Sequence, residues 1–190
     1  MSASLHILFE GYVRQGAAGN HVAGTVSLIT DGDQVIIHDP GMVPGPESIL
    51  TPLQTAGFTA GDVTDVVISH HHPDHTRWMG LFARARVHDH WAVYDRDLWT
   101  SRPAEGALVS PAVQLLETPG HTREDVTALV DTADGVVALT HLWWYAQAES
   151  DPLATDLDLL HQHRARVLDS AVRIVPGHGP AFDVTDAVPG

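Results

Sequence analysis

The sequence predicts an α/β domain, an α+β layered arrangement in which helices cover β-sheets. Three observations carry this. Short runs rich in Val, Ile and Leu recur along the chain, twice as pairs across a Gly-containing or polar turn. Two longer segments repeat their apolar residues every three to four positions, as a helix with one buried face does. No linker, low-complexity tract or short-period repeat divides the 190 residues, so residues 1–190 are expected to form one domain.

Each element has its own signal. Thr25-Val26-Ser27-Leu28-Ile29 and Gln34-Val35-Ile36-Ile37-His38 flank Asp31-Gly32-Asp33, which reads as a hairpin. Residues 44–46 form a loop between two prolines. Over residues 47–56, Ile49, Leu50 and Leu53 fall on one helical side, and Gly57 stops the helix. Residues 65–69 are a short apolar run, expected as a buried strand. Trp78, Met79, Leu81 and Phe82 suggest a short helix. Arg86-Val87-His88 begins another strand, and residues 112–117 form a further one. Residues 126–130 and 135–139 read as a second hairpin across Asp131-Thr132-Ala133-Asp134. Residues 156–171 are helical, with Leu157, Leu160, Val167 and Leu168 apolar, and residues 172–175 are a last strand. Loops at 12–24, 95–110 and 142–155 are expected to shape any pocket.

Composition limits the function classes. The formal charge is −14, and the ten basic residues, all arginines, are scattered, so a phosphate backbone is disfavoured as partner. No apolar run reaches the ~18 residues of a membrane span. The start, Met1-Ser2-Ala3-Ser4-Leu5-His6, lacks a basic stretch followed by a long apolar one. No secretory signal is therefore expected, and the cytoplasm is the default location. There is no cysteine, which removes thiolate ligands and a cysteine nucleophile. Histidine, at 14 residues, is the unusual count.

Six consecutive residues, His70-His71-His72-Pro73-Asp74-His75, follow the apolar run Val66-Val67-Ile68. A strand ending in H-x-H-x-D-H brings several donors within a few ångströms, and imidazole with carboxylate suits zinc or a neighbouring first-row metal. Two further histidines sit in tight turns after strands, in Pro119-Gly120-His121-Thr122 and Pro176-Gly177-His178-Gly179-Pro180. Proline and glycine fix an unusual backbone path that aims an imidazole at one point. Strand ends on one edge of a sheet are where sites converge.

These three motifs, with Asp39-Pro40-Gly41 as an earlier Asp-x-Gly element, resemble the signature of the metallo-β-lactamase superfamily, in order and across nearly the whole chain. The resemblance implies an αβ/βα sandwich with a metal site at one edge of two facing sheets. It implies that His70, His72 and His121 bind a first metal, and Asp74, His75 and His178 a second. The family's bridging aspartate follows the strand after Pro-Gly-His; here that strand leads to Thr140-His141, so histidine stands in its place. An imidazole cannot easily bridge two ions ~3.5–4 Å apart, because its two nitrogens point in opposite directions. Three readings stay open: His141 binds one metal only, the site holds a single metal, or His141 turns away and only lines the pocket.

The expected activity is a hydrolysis of a small acyl substrate such as an ester or lactone, by water activated on zinc, with Asp74 orienting that water or binding the second ion and His141 at the rim. One or two zinc ions are expected, with iron or manganese as alternatives. A metal-binding protein without turnover and a metal-dependent ribonuclease are the competing readings. A small-molecule substrate and no membrane are expected as partners, with a homo-oligomer left open. Asp39 reads either as support for a ligand imidazole or as a turn residue. His71 is expected to point away from its neighbours. His88 and His90 share a strand face, His161 and His163 do not face each other, and His6, His21 and His38 do not cluster. Leu142-Trp143-Trp144-Tyr145 is either a pocket wall or hydrophobic packing. Ser69, Ser101 and Ser110 lack the context of a nucleophile.

Overall fold

The computed structural model describes residues 2–190; Met1, the first residue of the expected domain, lies outside the described residues. In chain order the first strands are β1 (Ser4–Phe9), β2 (Tyr12–Gly16), β3 (Gly19–Ala23), β4 (Val26–Asp31) and β5 (Gln34–His38), followed by α1 (Glu47–Thr55). Then come β6 (Asp65–Val67), α2 (Pro73–Thr76), a 3-10 turn at Met79–Leu81, β7 (Arg86–His88), β8 (Ala92–Asp95) and β9 (Leu98–Ser101). The rest is β10 (Leu108–Ser110), β11 (Val113–Glu117), β12 (Val126–Thr132), β13 (Gly135–Thr140), α3 (Leu157–Ser170), β14 (Arg173–Pro176) and β15 (Phe182–Asp183).

The strands form two large sheets. One has seven strands in the order β1-β4-β5-β6-β7-β8-β9, the other six in the order β10-β11-β12-β13-β14-β15. Strands β2 and β3 pair only with each other. Side chains on a strand alternate between its two faces, and three apolar clusters use that alternation. Ile29, Ile36 and Val67 of the first sheet meet Leu115, Ala128, Leu139 and Val175 of the second. One residue away on the same strands, Leu28, Ile37 and Val66 pack under Ile49 and Leu53 of α1. On the far side of the second sheet, Ala138 and Ile174 pack under Leu160 and Val167 of α3. The layers therefore run helix, sheet, sheet, helix, the αβ/βα sandwich. Strands β4, β5 and β6 are covered on both faces, which is why they read as continuous apolar runs.

Several expectations need correction. Residues 12–24, expected as a loop, are mostly the hairpin β2–β3, and residues 95–110 contain β9 and β10. Strand β1 was not foreseen. The strand expected over 65–69 ends at Val67; just past it the Ser69 carbonyl accepts from Val126 N of the other sheet at 2.8 Å. The short helix expected at 78–82 is a single 3-10 turn. No helix among the described residues is long and apolar enough to cross a membrane.

Candidate metal centre

The site lies where strand ends of both sheets meet. β6 runs into Ser69 and His70. On the second sheet β11 and β13 are both antiparallel to β12, so they point the same way, and β14 is parallel to β13. Strands β11, β13 and β14 thus deliver His121, His141 and His178 at one end of that sheet.

Local backbone chemistry fixes each donor. Pro73 stands in the first turn of α2, where its missing N–H costs nothing, and Asp74 and His75 follow on that turn. The Asp74 carbonyl accepts from the N–H groups of Gly24 at 3.0 Å and Met42 at 3.1 Å. A Cβ on Gly41 would lie 1.6 Å from that carbonyl oxygen, so only glycine permits this approach. A Cβ on Gly177 would lie 2.4 Å from Cδ2 of His141, so that glycine makes room for the ring.

All seven residues expected at the site come together, in two adjoining sets linked by His141. His72 Nδ1 is 3.0 Å from His70 Nε2 and 3.1 Å from His121 Nε2. Asp74 Oδ2 is 3.4 Å from His75 Nε2 and 3.6 Å from His178 Nε2. His141 sits between the sets: its Nε2 is 3.1 Å from His178 Nε2, and its ring centre is 4.1 Å from that of His121. Its ring also faces His70 and His75. Of the readings open for His141, the one that turns it away from the donors does not describe this geometry.

The outer nitrogens explain why the inner ones face each other. Ser69 donates its hydroxyl to Asp39 Oδ2 at 2.6 Å, so toward His70 Nδ1, 3.0 Å away, it can only accept. His75 Nδ1 donates to Asp39 Oδ2 at 2.8 Å, His121 Nδ1 to Asp151 Oδ2 at 2.7 Å, and His178 Nδ1 to the Ala23 carbonyl at 2.9 Å. A neutral imidazole has one N–H. With that proton spent outward, the Nε2 atoms of His70, His121 and His178 each turn a bare lone pair inward. His72 presents Nδ1 to them, and its distances of 3.0 and 3.1 Å to the Nε2 atoms of His70 and His121 are close to the ~3.3 Å separation of two nitrogens on one tetrahedral zinc ion. His75 Nε2 is buried with no hydrogen-bond partner. The donor set therefore fits a metal.

Burial and the neighbouring imidazoles hold His70 and His141 well below the usual histidine range. Burial and the charge of His75 bring His178 down to about 4. For His75 burial pulls down, but Asp39 and Asp74 outweigh it and push it up to about 9. Burial opposes ionisation of Asp74, yet His75 and His178 hold it at about 2. Burial raises Asp125, which accepts from the Thr122 N–H and hydroxyl and lies 3.9 Å from His70 Nδ1, to about 6. His72 is exposed and Asp74 half-buried, so these two mark the open side.

Other expected signals separate cleanly. Asp39 is the shared acceptor behind His75 and Ser69, at a left-handed φ of 49° that marks local strain. His71 turns outward to Asp89 and stacks on Trp91. His88 is held by buried Asp65 instead of pairing with His90. Trp143 is fully buried against α3, whereas Trp144 walls the site, with its ring centre 5.5 Å from that of His178. Sequence reasoning missed Asp151 and Asp125, because neither carries a local motif.

Comparison with known proteins bears on the family and the fold. The family model described as "Metallo-beta-lactamase superfamily" matches residues 19–184. The chain is 31% identical over 191 residues to Metallo-beta-lactamase domain-containing protein 1 of Xenopus laevis, covering 95% of this chain and 82% of that protein. It is 30% identical over 131 residues to a hydroxyacylglutathione hydrolase of Nitrobacter winogradskyi, covering 62% of this chain and 50% of that protein. A solved Thermotoga maritima structure described as metallo-beta-lactamase-like superposes with a TM-score of 0.77 at 21% identity, covering 96% of this chain and all of that one.

Proposed function

The chain belongs to the metallo-beta-lactamase superfamily, and we propose that it is a metal-dependent hydrolase of a small acyl substrate, such as an ester, a lactone or a related compound. The observation that carries this reading is the convergence of ligand atoms of His70, His72 and His121 beside those of the Asp74, His75 and His178 set, each set within 4.8 Å. His70, His72 and His121 would hold one ion. Asp74, His75 and His178 would hold a second, with His141 as a further donor next to His178. So many imidazoles with one carboxylate favour zinc over the harder manganese, and iron remains compatible. When bound, zinc supplies a Lewis acid and brings the pKa of water toward ~7, which yields a nucleophile at neutral pH.

The chain's own residues supply the rest. Asp74 is half-buried on the open side, and ionised down to about 2 it can accept a hydrogen bond from water and orient its oxygen. Asp151 and Asp39 hold imidazole tautomers so that Nε2 faces the donors. Trp144 screens one wall from solvent. The relative in Nitrobacter winogradskyi, a hydroxyacylglutathione hydrolase, supports acyl chemistry. The net charge of −14 argues against an RNA substrate.

The test is metal analysis of the purified protein, followed by turnover of ester, lactone and thioester panels before and after chelation. Stoichiometric zinc with chelator-sensitive acyl hydrolysis is the expected result. Folded protein that takes up no zinc or iron refutes the reading. The buried His141, in the place of the family's bridging carboxylate, favours one second reading, a metal-binding protein without turnover. Stoichiometric metal with no hydrolysis, and activity gained by His141→Asp, would favour it.

A further inference from the structure

Helix α3 buries Leu160, Arg164 and Val167 on one face. Two of these are ordinary for a packed helix. The third is a guanidinium with 0% exposure. A buried cation is costly unless several acceptors hold it. The hydrogen-bond partners of Arg164 are main-chain carbonyls: Nε donates to Leu142 O at 2.9 Å and Nη1 to Glu149 O at 3.0 Å. Its Cζ lies 5.1 Å from the centre of the Trp143 ring.

Those two carbonyls bracket a segment with no helix or strand. Irregular backbone has no ladder of its own, so it stays where its contacts hold it. This segment carries Trp144, which faces His121, His141 and His178. It leads directly into Asp151, which is 2% exposed and holds His121 Nδ1. Beyond Asp151 the loop is already tied down. Thr155 N donates to His121 O at 3.1 Å and Asp156 N to Gly120 O at 3.0 Å. At the entrance Trp143 O accepts from Gly177 N and Trp144 O from His178 N, each at 3.1 Å, so the part that depends on Arg164 is the stretch between Trp144 and Asp151.

We propose that Arg164 is a positioning residue for the metal centre. Its fork joins Leu142 O to Glu149 O, and so sets Asp151 behind His121. This rests on the metal-centre reading above. The planar fork matters as much as the charge, since a lysine ammonium is a single point on a flexible stem.

Chelator competition measures the zinc affinity of the full chain, and thermal unfolding of the metal-free protein measures its stability. The variants are Arg164→Met, Arg164→Lys, Asp151→Asn and Arg164→Met combined with Asp151→Asn. Partners behind a ligand imidazole typically matter ~10–100-fold in metal affinity. Arg164→Met and Arg164→Lys should each weaken zinc binding by ~10-fold or more. In the Asp151→Asn background Arg164→Met should add little, because both act on the same imidazole. A lower thermal midpoint with unchanged zinc affinity would mark a purely structural arginine and overturn the proposal. Wild-type affinity in Arg164→Lys, or a full extra loss in the double variant, would overturn it too. If the parent chain itself fails to bind zinc, the metal-centre reading falls, which is a distinguishable result.

Discussion

Replacing Asp39 with alanine removes one carboxylate that three donors share. The Ser69 N–H reaches it at 2.7 Å, the Ser69 hydroxyl at 2.6 Å and His75 Nδ1 at 2.8 Å, all buried. The hydroxyl has an alternative acceptor in His70 Nδ1, but only if His70 moves its proton to Nε2, the nitrogen that faces the other donors. The other two donors have none. Each stranded buried donor costs ~1–3 kcal/mol, so Asp39→Ala should lose ~2–6 kcal/mol. Against a total stability of ~5–15 kcal/mol this is a large share. Asp39→Asn keeps one acceptor oxygen and should lose less. Denaturant titration of the metal-free protein in chelator measures the loss as a lower midpoint at unchanged slope. An Asp39→Ala protein within ~0.5 kcal/mol of wild type would refute the reasoning, because surface changes alone stay in that range.

Three other predictions follow from the same geometry. Gly41→Ala cannot keep the contact with the Asp74 carbonyl, so the Asp74–His75 turn must move; metal analysis should find zinc lost first from the Asp74, His75 and His178 set. His141→Ala removes the donor beside His178, and isothermal titration should show the second zinc weakened more than the first. Burial opposes ionisation of Asp65, but hydrogen bonds from His88 and Thr64 and the charges of His88 and Arg86 hold it below the usual carboxylate range. Such a group contributes stability above its unfolded pKa of ~3.9 and loses it as pH falls toward the folded value. Wild type should therefore lose more stability than Asp65→Asn between about pH 5 and pH 2, measured by denaturant midpoints.

What the sequence revealed follows what is local. Strands β4, β5 and β6 are buried on both faces and announce themselves as apolar runs. Strand β9 is exposed at every residue, and the hairpin β2–β3 is mostly exposed, so neither carries a period-2 apolar signal. The histidines were legible because proline and glycine beside them write the backbone geometry into the chain. Asp151 was not, since it reaches His121 across 30 residues through a loop with no periodicity. Trp143 and Trp144 are adjacent and chemically alike, yet one faces the core and the other the site. Only the path of the segment from Leu142 to Glu149 decides between them.

The donors come from both halves of the sandwich: His70, His72, Asp74 and His75 follow β6 of one sheet, while His121, His141 and His178 follow strands of the other. An ion held by both groups would close several long loops of the chain at once. In a sequence without cysteine, it would take the part that disulfides play in secreted proteins, restricting the unfolded chain. Unlike a disulfide, this cross-link answers to concentration. Its contribution rises with the ratio of free zinc to the dissociation constant, by ~2.7 kcal/mol at a hundredfold excess. The lifetime of the folded chain would then depend on the zinc supply around it.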